Sequence, residues 1–285
     1  MACRRAPSRR RRALAALLGA AAVAGAAAAD GADAGVGLPL WEAGVAGGVG
    51  WVPDYPGADR SRARAIVLPM LVYRGPILRV DEEGVRGRLF ESEDWRFDLS
   101  ATAAFDARDN PLREGMAPLA YLFGVGPQWI WKGWQRAGRG PTLHLKLRAM
   151  MSTDFRRIDS HGLSFDPELR WRLPGLAGPA SDLTLSLQPS WSGRALQAYF
   201  YEVAPGEATA TRPAYAARAG YLGSEASATW TQRPARHLSW FLTLRFMSLH
   251  GAANAASPLL VERGQWAAGA GFVWTPWQGR GRAVD

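Results

Sequence analysis

Ser248-Leu249-His250 places a hydroxyl and an imidazole two residues apart, on one side of an extended chain. Outer-membrane lipid hydrolases use such pairs, with the serine as nucleophile. The same parity carries Trp240, Leu242, Leu244 and Phe246, so the plainer reading is a polar pair closing an apolar face. The other histidines offer less. His144 shares a face with Lys146 and Asp154, His161 falls in a turn, and His237 opens a strand. No spacing of His, Asp or Glu matches a metal site. Asp106–Glu114 carries carboxylates and an asparagine but lacks the regular Asp-x-Asp-x-Asp-Gly order of a calcium loop. No catalytic residue, metal or cofactor is assigned.

What the chain does have is charge in rows. From Thr142 to Phe155, Leu143, Leu145, Leu147, Met151 and Phe155 alternate with His144, Lys146, Arg148, Ser152 and Asp154. A polar turn over Arg156–His161 follows. Leu163, Phe165, Leu169, Trp171 and Leu173 then alternate with Ser164, Asp166, Glu168, Arg170 and Arg172. A period of two is that of a β-strand, so the two segments form an antiparallel hairpin with one apolar and one charged face.

The same pattern runs along most of the chain. Trp41–Trp51, Arg64–Tyr73, Ile77–Glu91 (Arg86 and Arg88 on its polar face), Trp95–Phe105 (Arg96 and Asp98) and Leu119–Trp131 precede the hairpin. Leu183–Trp191, Leu238–Phe246 and Trp266–Trp274 follow it, with weaker candidates at Ala198–Val203, Tyr215–Leu222 and Ala226–Gln232. Pro69 argues against a conventional central strand over Arg64–Tyr73. No stretch has helical periodicity and none is an 18-residue apolar run, so the fold is all-β.

Residues Met1 to Ala29 read as a signal peptide: Arg4, Arg5 and Arg9–Arg12, an alanine-rich stretch, then Ala27-Ala28-Ala29. Its removal takes six of the 34 basic residues and leaves 28 against 25 acidic ones. That balance excludes the basic face a nucleic-acid partner needs. Cys3, the single cysteine, leaves with the signal, so disulfide and thiol chemistry are excluded too.

Which solvent meets the apolar faces decides the class. Mixed charge on the opposite faces suits a hydrated lumen lined by Arg86, Arg88, Arg96, Asp98, His144, Lys146, Arg148, Asp154, Asp166, Glu168, Arg170 and Arg172. Aromatic residues close the apolar faces as membrane girdles do: Trp41, Trp51, Trp95, Phe105, Trp129, Trp131, Trp171, Trp191 and Trp274. Thirteen candidate segments and the even-number rule give an antiparallel transmembrane β-barrel of about 12 strands, in contact with outer-membrane lipid. It spans 41–274, after a short periplasmic segment at 30–40 and before a polar tail at 275–285.

Several local motifs point further. Trp41-Glu42-Ala43-Gly44 with Pro53-Asp54-Tyr55-Pro56-Gly57-Ala58-Asp59 resembles the opening of the MltA-interacting protein (MipA)/OmpV family of outer-membrane proteins. Gly84–Phe90, Asp109–Met116, Tyr199–Val203 and Ser257–Leu260 are similar to later stretches of that family, in the same order. The resemblance implies a barrel in the outer membrane of a Gram-negative bacterium. It also implies a scaffold role, joining a lytic transglycosylase to a penicillin-binding murein synthase. Gly269-x-x-Phe272-x-Trp274 looks like the last-strand signal read by the barrel-assembly machinery. Numbering strands from a periplasmic start puts the 106–117 connection on the periplasmic side, with Asp109, Asn110, Arg113 and Glu114 as partner contacts. The alternatives are a small-solute pore, limited by inward arginines, and a lipid esterase using Ser248.

Overall fold

The computed structural model describes residues 39–74, 78–81, 84–87, 90–135, 139–279 and 281, with the backbone alone for 72–91. The expected signal peptide, nearly all of 30–40, and the side chains of Arg86 and Arg88 lie outside the described residues.

The alternating segments form β1 (Trp41–Pro53), β2 (Ser61–Arg74), β3 (Leu78–Asp81), β4 (Gly84–Gly87), β5 (Phe90–Glu91), β6 (Trp95–Ala104) and β7 (Tyr121–Trp131). They continue with β8 (Gly140–Thr153), β9 (Ile158–Pro174), β10 (Ser181–Ser192), helix α1 (Arg194–Tyr201), β11 (Gly220–Ala235), β12 (Leu238–Ser248) and β13 (Gly264–Gln278). All the strands belong to one sheet, in which β1 pairs antiparallel with β13. At the opposite seam β4 lies beside β6, and β5 pairs with β6. The sheet closes on itself as a barrel, which removes the unpaired edges that hydrocarbon could not satisfy.

Taking β4 and β5 as two pieces of one interrupted strand gives twelve, the expected number, by compensating differences. Ala198–Val203 is not a strand but part of α1, while Tyr215–Leu222 and Ala226–Gln232 contribute to the single strand β11. Ile77–Glu91, read as one strand, instead turns back on itself at β3 and β4. That extra reversal inverts the direction of every strand after it. Pro69 sits inside β2 opposite Val45. It is tolerated because the described pairs of β3 on β2 involve only Tyr73 and Arg74. β13 also runs past Trp274 to Gln278, which pairs with Glu42, so the barrel takes in residues assigned to the tail.

The orientation of the faces is unambiguous. Val49, Val67, Leu71, Leu99, Leu147, Leu163, Leu185, Leu187, Leu242 and Leu244 point outward, 37–67 % exposed. Asp98, His144, Lys146, Arg148, Asp166 and Glu168 point inward and are at most 7 % exposed. A water-soluble protein would not arrange itself this way, because burying charge while exposing leucine costs on both counts. Bilayer hydrocarbon around the barrel makes both arrangements favourable.

Tryptophans mark two levels on the outer surface. Trp41, Trp95, Trp171, Trp274 and Trp277 stand near the end holding the first and last strand termini; Trp51, Trp191 and Trp266 stand near the other. Ten residues separate Trp41 from Trp51, which for a tilted strand spans about 25 Å, the height of an apolar band. Trp129 is also exposed, and Trp131 packs between Trp95 and Trp134. Phe105 departs from the expected girdle. It lies beyond the end of β6, with the Arg64 guanidinium over its ring at 5.6 Å.

Inside, Phe241 lies over Gly271. A Cβ at Gly271 would come within 2.5 Å of that ring and 2.8 Å of the Gly47 carbonyl oxygen. Gly271→Ala is therefore expected to destabilise the barrel by about 1–3 kcal/mol through overpacking. A lowered urea midpoint for protein refolded into lipid vesicles is the check.

Candidate functional site

The lumen is built from facing inward positions. Register sets Lys146 opposite Asp166, His144 opposite Glu168 and Arg148 opposite Ser164. The ion pairs form on the diagonals. Lys146 bonds Glu168 and donates to the Gln188 side-chain oxygen at 2.9 Å. Arg148 donates to Asp166 at 2.9 Å and to Ser100 Oγ at 2.8 Å, while Ser164 donates to the same Asp166 oxygen. Arg170 binds Glu168 at 3.0 Å. Nearer the chain termini, Asp182 takes Arg172 at 2.9 Å and Arg233 as well. Arg96 pairs with Asp98 at 2.9 Å, and His144 meets Thr142 Oγ1 at 2.9 Å.

These bonds cross-link β6, β8, β9, β10 and β11. Around the same height Ile130, Leu68, Phe241, Thr229 and Thr231 are also buried, so this level of the lumen is packed. Ser100, Asp182, Gln188 and Arg233 belong to the ladder although sequence reasoning did not single them out. The signal for Asp182 and Gln188 was available, since both share the inward parity of Ser186 and Ser190.

Asp154 does not join the lumen. β8 ends at Thr153, and the exposed Asp154 carboxylate accepts from the Arg156 and Arg157 backbone N–H groups at 2.9 and 3.0 Å. Those bonds favour its charged form and lower its pKa.

The end opposite the termini is covered by the long loops. Tyr55, Leu119, Leu196, Phe200, Leu249 and Leu260 form its apolar core. Helix α1 forms because Leu196, Gln197, Phe200 and Tyr201 recur at helical spacing and bury one face in that core. Three phenols fasten the loops together. Tyr55 donates to Leu259 O at 2.9 Å, Tyr199 to Ala120 O at 2.8 Å and Tyr201 to Pro56 O at 2.9 Å. Burial raises the pKa of all three, that of Tyr199 to about 12, so each stays a neutral donor at ordinary pH. Buried Asn254 binds Gln197 at 2.9 Å and the Arg218 carbonyl at 2.8 Å.

Two of the four expected partner contacts belong to this plug. Asn110 is buried, caps a short turn by accepting from Leu112 N at 3.0 Å, and donates to Asp54 at 3.0 Å. Arg113 is buried and donates to the Phe200 carbonyl at 3.0 Å, and burial lowers its pKa. Asp109 and Glu114 are exposed, but on the plug side. Loops 54–60, 105–120, 154–157, 193–219 and 249–263 share that end; among the described residues, the short turns at 92–94, 132–135, 175–180 and 236–237 share the other with the first and last strand termini. Short turns are the periplasmic ones in such barrels. The 106–117 connection therefore lies at the end away from the first and last strand termini rather than beside them, and its cause is the unread β3–β4 reversal.

Ser248 and His250 are separated as well. β12 ends at Ser248, Leu249 is buried in the plug core, and His250 lies exposed in the following turn. Hydroxyl–imidazole contacts form elsewhere, between Ser152 Oγ and His161 Nε2 at 2.8 Å and in the Thr142–His144 contact of the lumen. Among the described residues no group of three or more His, Cys, Asp or Glu is gathered as a metal would need.

The family model described as MltA-interacting protein MipA matches residues 45–276. Among solved structures, an outer membrane channel from Pseudomonas putida F1 is similar with a TM-score of 0.46 and 13% identity, covering 83% of this chain and 96% of that one. No curated protein matches.

Proposed function

We propose, because this chain belongs to the MltA-interacting protein MipA family of outer-membrane barrels, that it is a closed scaffold which offers its periplasmic end to murein enzymes. The family's name supports a murein enzyme as partner, which we read as a lytic transglycosylase; the murein synthase that such a scaffold would join to it is part of the proposal. One observation carries the closed reading: the lumen is filled at the level of Lys146 and Glu168 by side chains that water barely reaches. A second layer, the loop plug, lies beyond it. A scaffold needs no conducting path and no reacting group, and the first and last strand termini and the described short turns are available at one end. Trp134 and Leu176, in the turns after β7 and β9, are exposed there and are the contacts we favour. Asp109, Asn110, Arg113 and Glu114 are set aside for that role by their place at the plug.

Residues 1–29 would direct export and be removed in the course of it, with insertion by the barrel-assembly machinery to follow. The pore reading keeps one observation in its favour, a cavity of about 350 Å³ inside the lumen. Planar-bilayer recording separates the two. The closed scaffold gives no stepwise current, and openings of the size expected for a small porin would sink it. In intact cells, photo-crosslinkers at positions 134 and 176 should capture a lytic transglycosylase, whereas one at position 109 should not.

A further inference from the structure

Between the packed level of the lumen and the plug lies the cavity of about 350 Å³. That is the size of a small-molecule site, and most of its wall is apolar, as in such sites. The plug side carries Leu119, Leu122, Met150, Leu196, Phe200 and Leu222. On the wall formed by β1 and β13, Gly48, Gly50, Ala267 and Gly269 face the space, and their small size leaves it open.

Charge on the lining is balanced. Arg64, Arg148 and Arg245 stand against Asp54, Asp166 and Glu225. Arg148 meets Asp166 at 2.9 Å, and Asp54 takes Arg62 at 2.9 Å and Asn110 at 3.0 Å. Arg64 donates to the Asp106 carbonyl at 2.7 Å and lies over the Phe105 ring. Arg245 lies 3.8 Å from Glu225. A charged ligand would have to break into one of these pairings or stay unpaired, and either is costly away from water. A neutral ligand leaves them all intact.

One polar group is turned toward the space with a donor to spare. The Gln188 side-chain oxygen accepts from Lys146 at 2.9 Å. Lys146 can only donate, so this bond settles which end of the amide is oxygen. Lys146 belongs to the ladder and is not on the cavity wall, whereas Gln188 touches both. The amide oxygen therefore faces the ladder and the amide nitrogen faces the cavity, with no acceptor among the described residues. The Thr102 hydroxyl, on the same lining, can give or take a bond and sets no preference.

We infer that this cavity binds a small uncharged carbonyl compound, its oxygen accepting from Gln188 and its aliphatic chain lying under the plug. The chain matches the leucine-rich roof, and the bare glycine wall leaves it room. Neither current nor enzyme capture measures this property, so it stands or falls separately from the scaffold reading.

The test is calorimetric titration of the full barrel in phosphatidylcholine nanodiscs, with empty nanodiscs as blank. The ketone 2-heptanone should bind saturably at one site, and 2-butanone more weakly by about fourfold per methylene removed. Heptanoate and 2-aminoheptane, which carry one charge of either sign, should each bind at least about tenfold more weakly than 2-heptanone. Gln188→Glu keeps an oxygen for Lys146 but replaces the donor with a second acceptor, so it should weaken 2-heptanone by about tenfold or more. Arg157→Gln, in an exposed turn, should change nothing. Ketone heats equal to the blank overturn the proposal, as does a folded Gln188→Glu barrel that binds 2-heptanone unchanged. So does equal affinity for 2-heptanone and heptanoate, a comparison on the unsubstituted protein that holds even if Gln188→Glu fails to fold.

Discussion

Asp166→Leu is expected to destabilise the folded barrel by about 3–5 kcal/mol, the cost of leaving a buried cation without its anion. Arg148 is almost wholly covered and points at Asp166 Oδ2 from 2.9 Å. With the carboxylate gone, its guanidinium retains Ser100 Oγ at 2.8 Å, but a neutral acceptor does not balance charge at that depth. The paired change Arg148→Met with Asp166→Leu removes both charges and keeps the volume, so it should restore most of the loss. Urea unfolding of protein refolded into phospholipid vesicles, followed by tryptophan fluorescence, measures all three variants. If Asp166→Leu costs under about 1 kcal/mol, water reaches the ladder and the lumen is not packed there. Arg157–Asp159 provides the contrast: its side chains are 76 % and 49 % exposed, and Asp159→Ala should cost well under about 1 kcal/mol.

The ladder was legible in the sequence because strand periodicity is local. Once Leu143, Leu145 and Leu147 fix one face, His144, Lys146 and Arg148 must share the other, whatever the rest of the chain does. Which solvent meets each face was legible too, since charged rows opposite apolar ones suit a barrel in lipid. Three features were not readable, each for a physical reason. The β3–β4 reversal joins strands of four residues each, too short for alternation to announce a break. Helix α1 was missed because a window starting at Ala198 loses Leu196 and Gln197, half of its buried face. The plug depends on contacts such as Tyr55 with Leu259, more than two hundred residues apart, which no local spacing encodes. The missed reversal had the widest effect. Side-chain parity within each later strand was unaffected, but the end of the barrel assigned to each loop was exchanged.

That exchange gives the sharpest expected result, because it is all or none. Cysteines placed singly at Asp109 and Thr211, in the long loops, should react with a membrane-impermeant maleimide on intact cells. Cysteines at Trp134 and Leu176 should react only after the outer membrane is permeabilised. The only native cysteine is Cys3, inside the proposed signal, so the background should be dark. The assignment rests on chain direction alone. β1 starts at the end where Leu40 pairs with Gly281 and Trp41 with Gly279, so both ends of the strand order lie together. From there each antiparallel neighbour reverses direction, and with β3 and β4 counted separately β6 must run away from the termini. The 105–120 loop then lies at the plug, where Arg212 donates to the Leu112 and Glu114 carbonyls at 2.8 and 3.0 Å. A barrel with periplasmic termini has its plug at the cell surface and its short turns facing the murein. Labelling at 134 but not 109 on intact cells would invert the barrel, and a scaffold would then have to work through the plug.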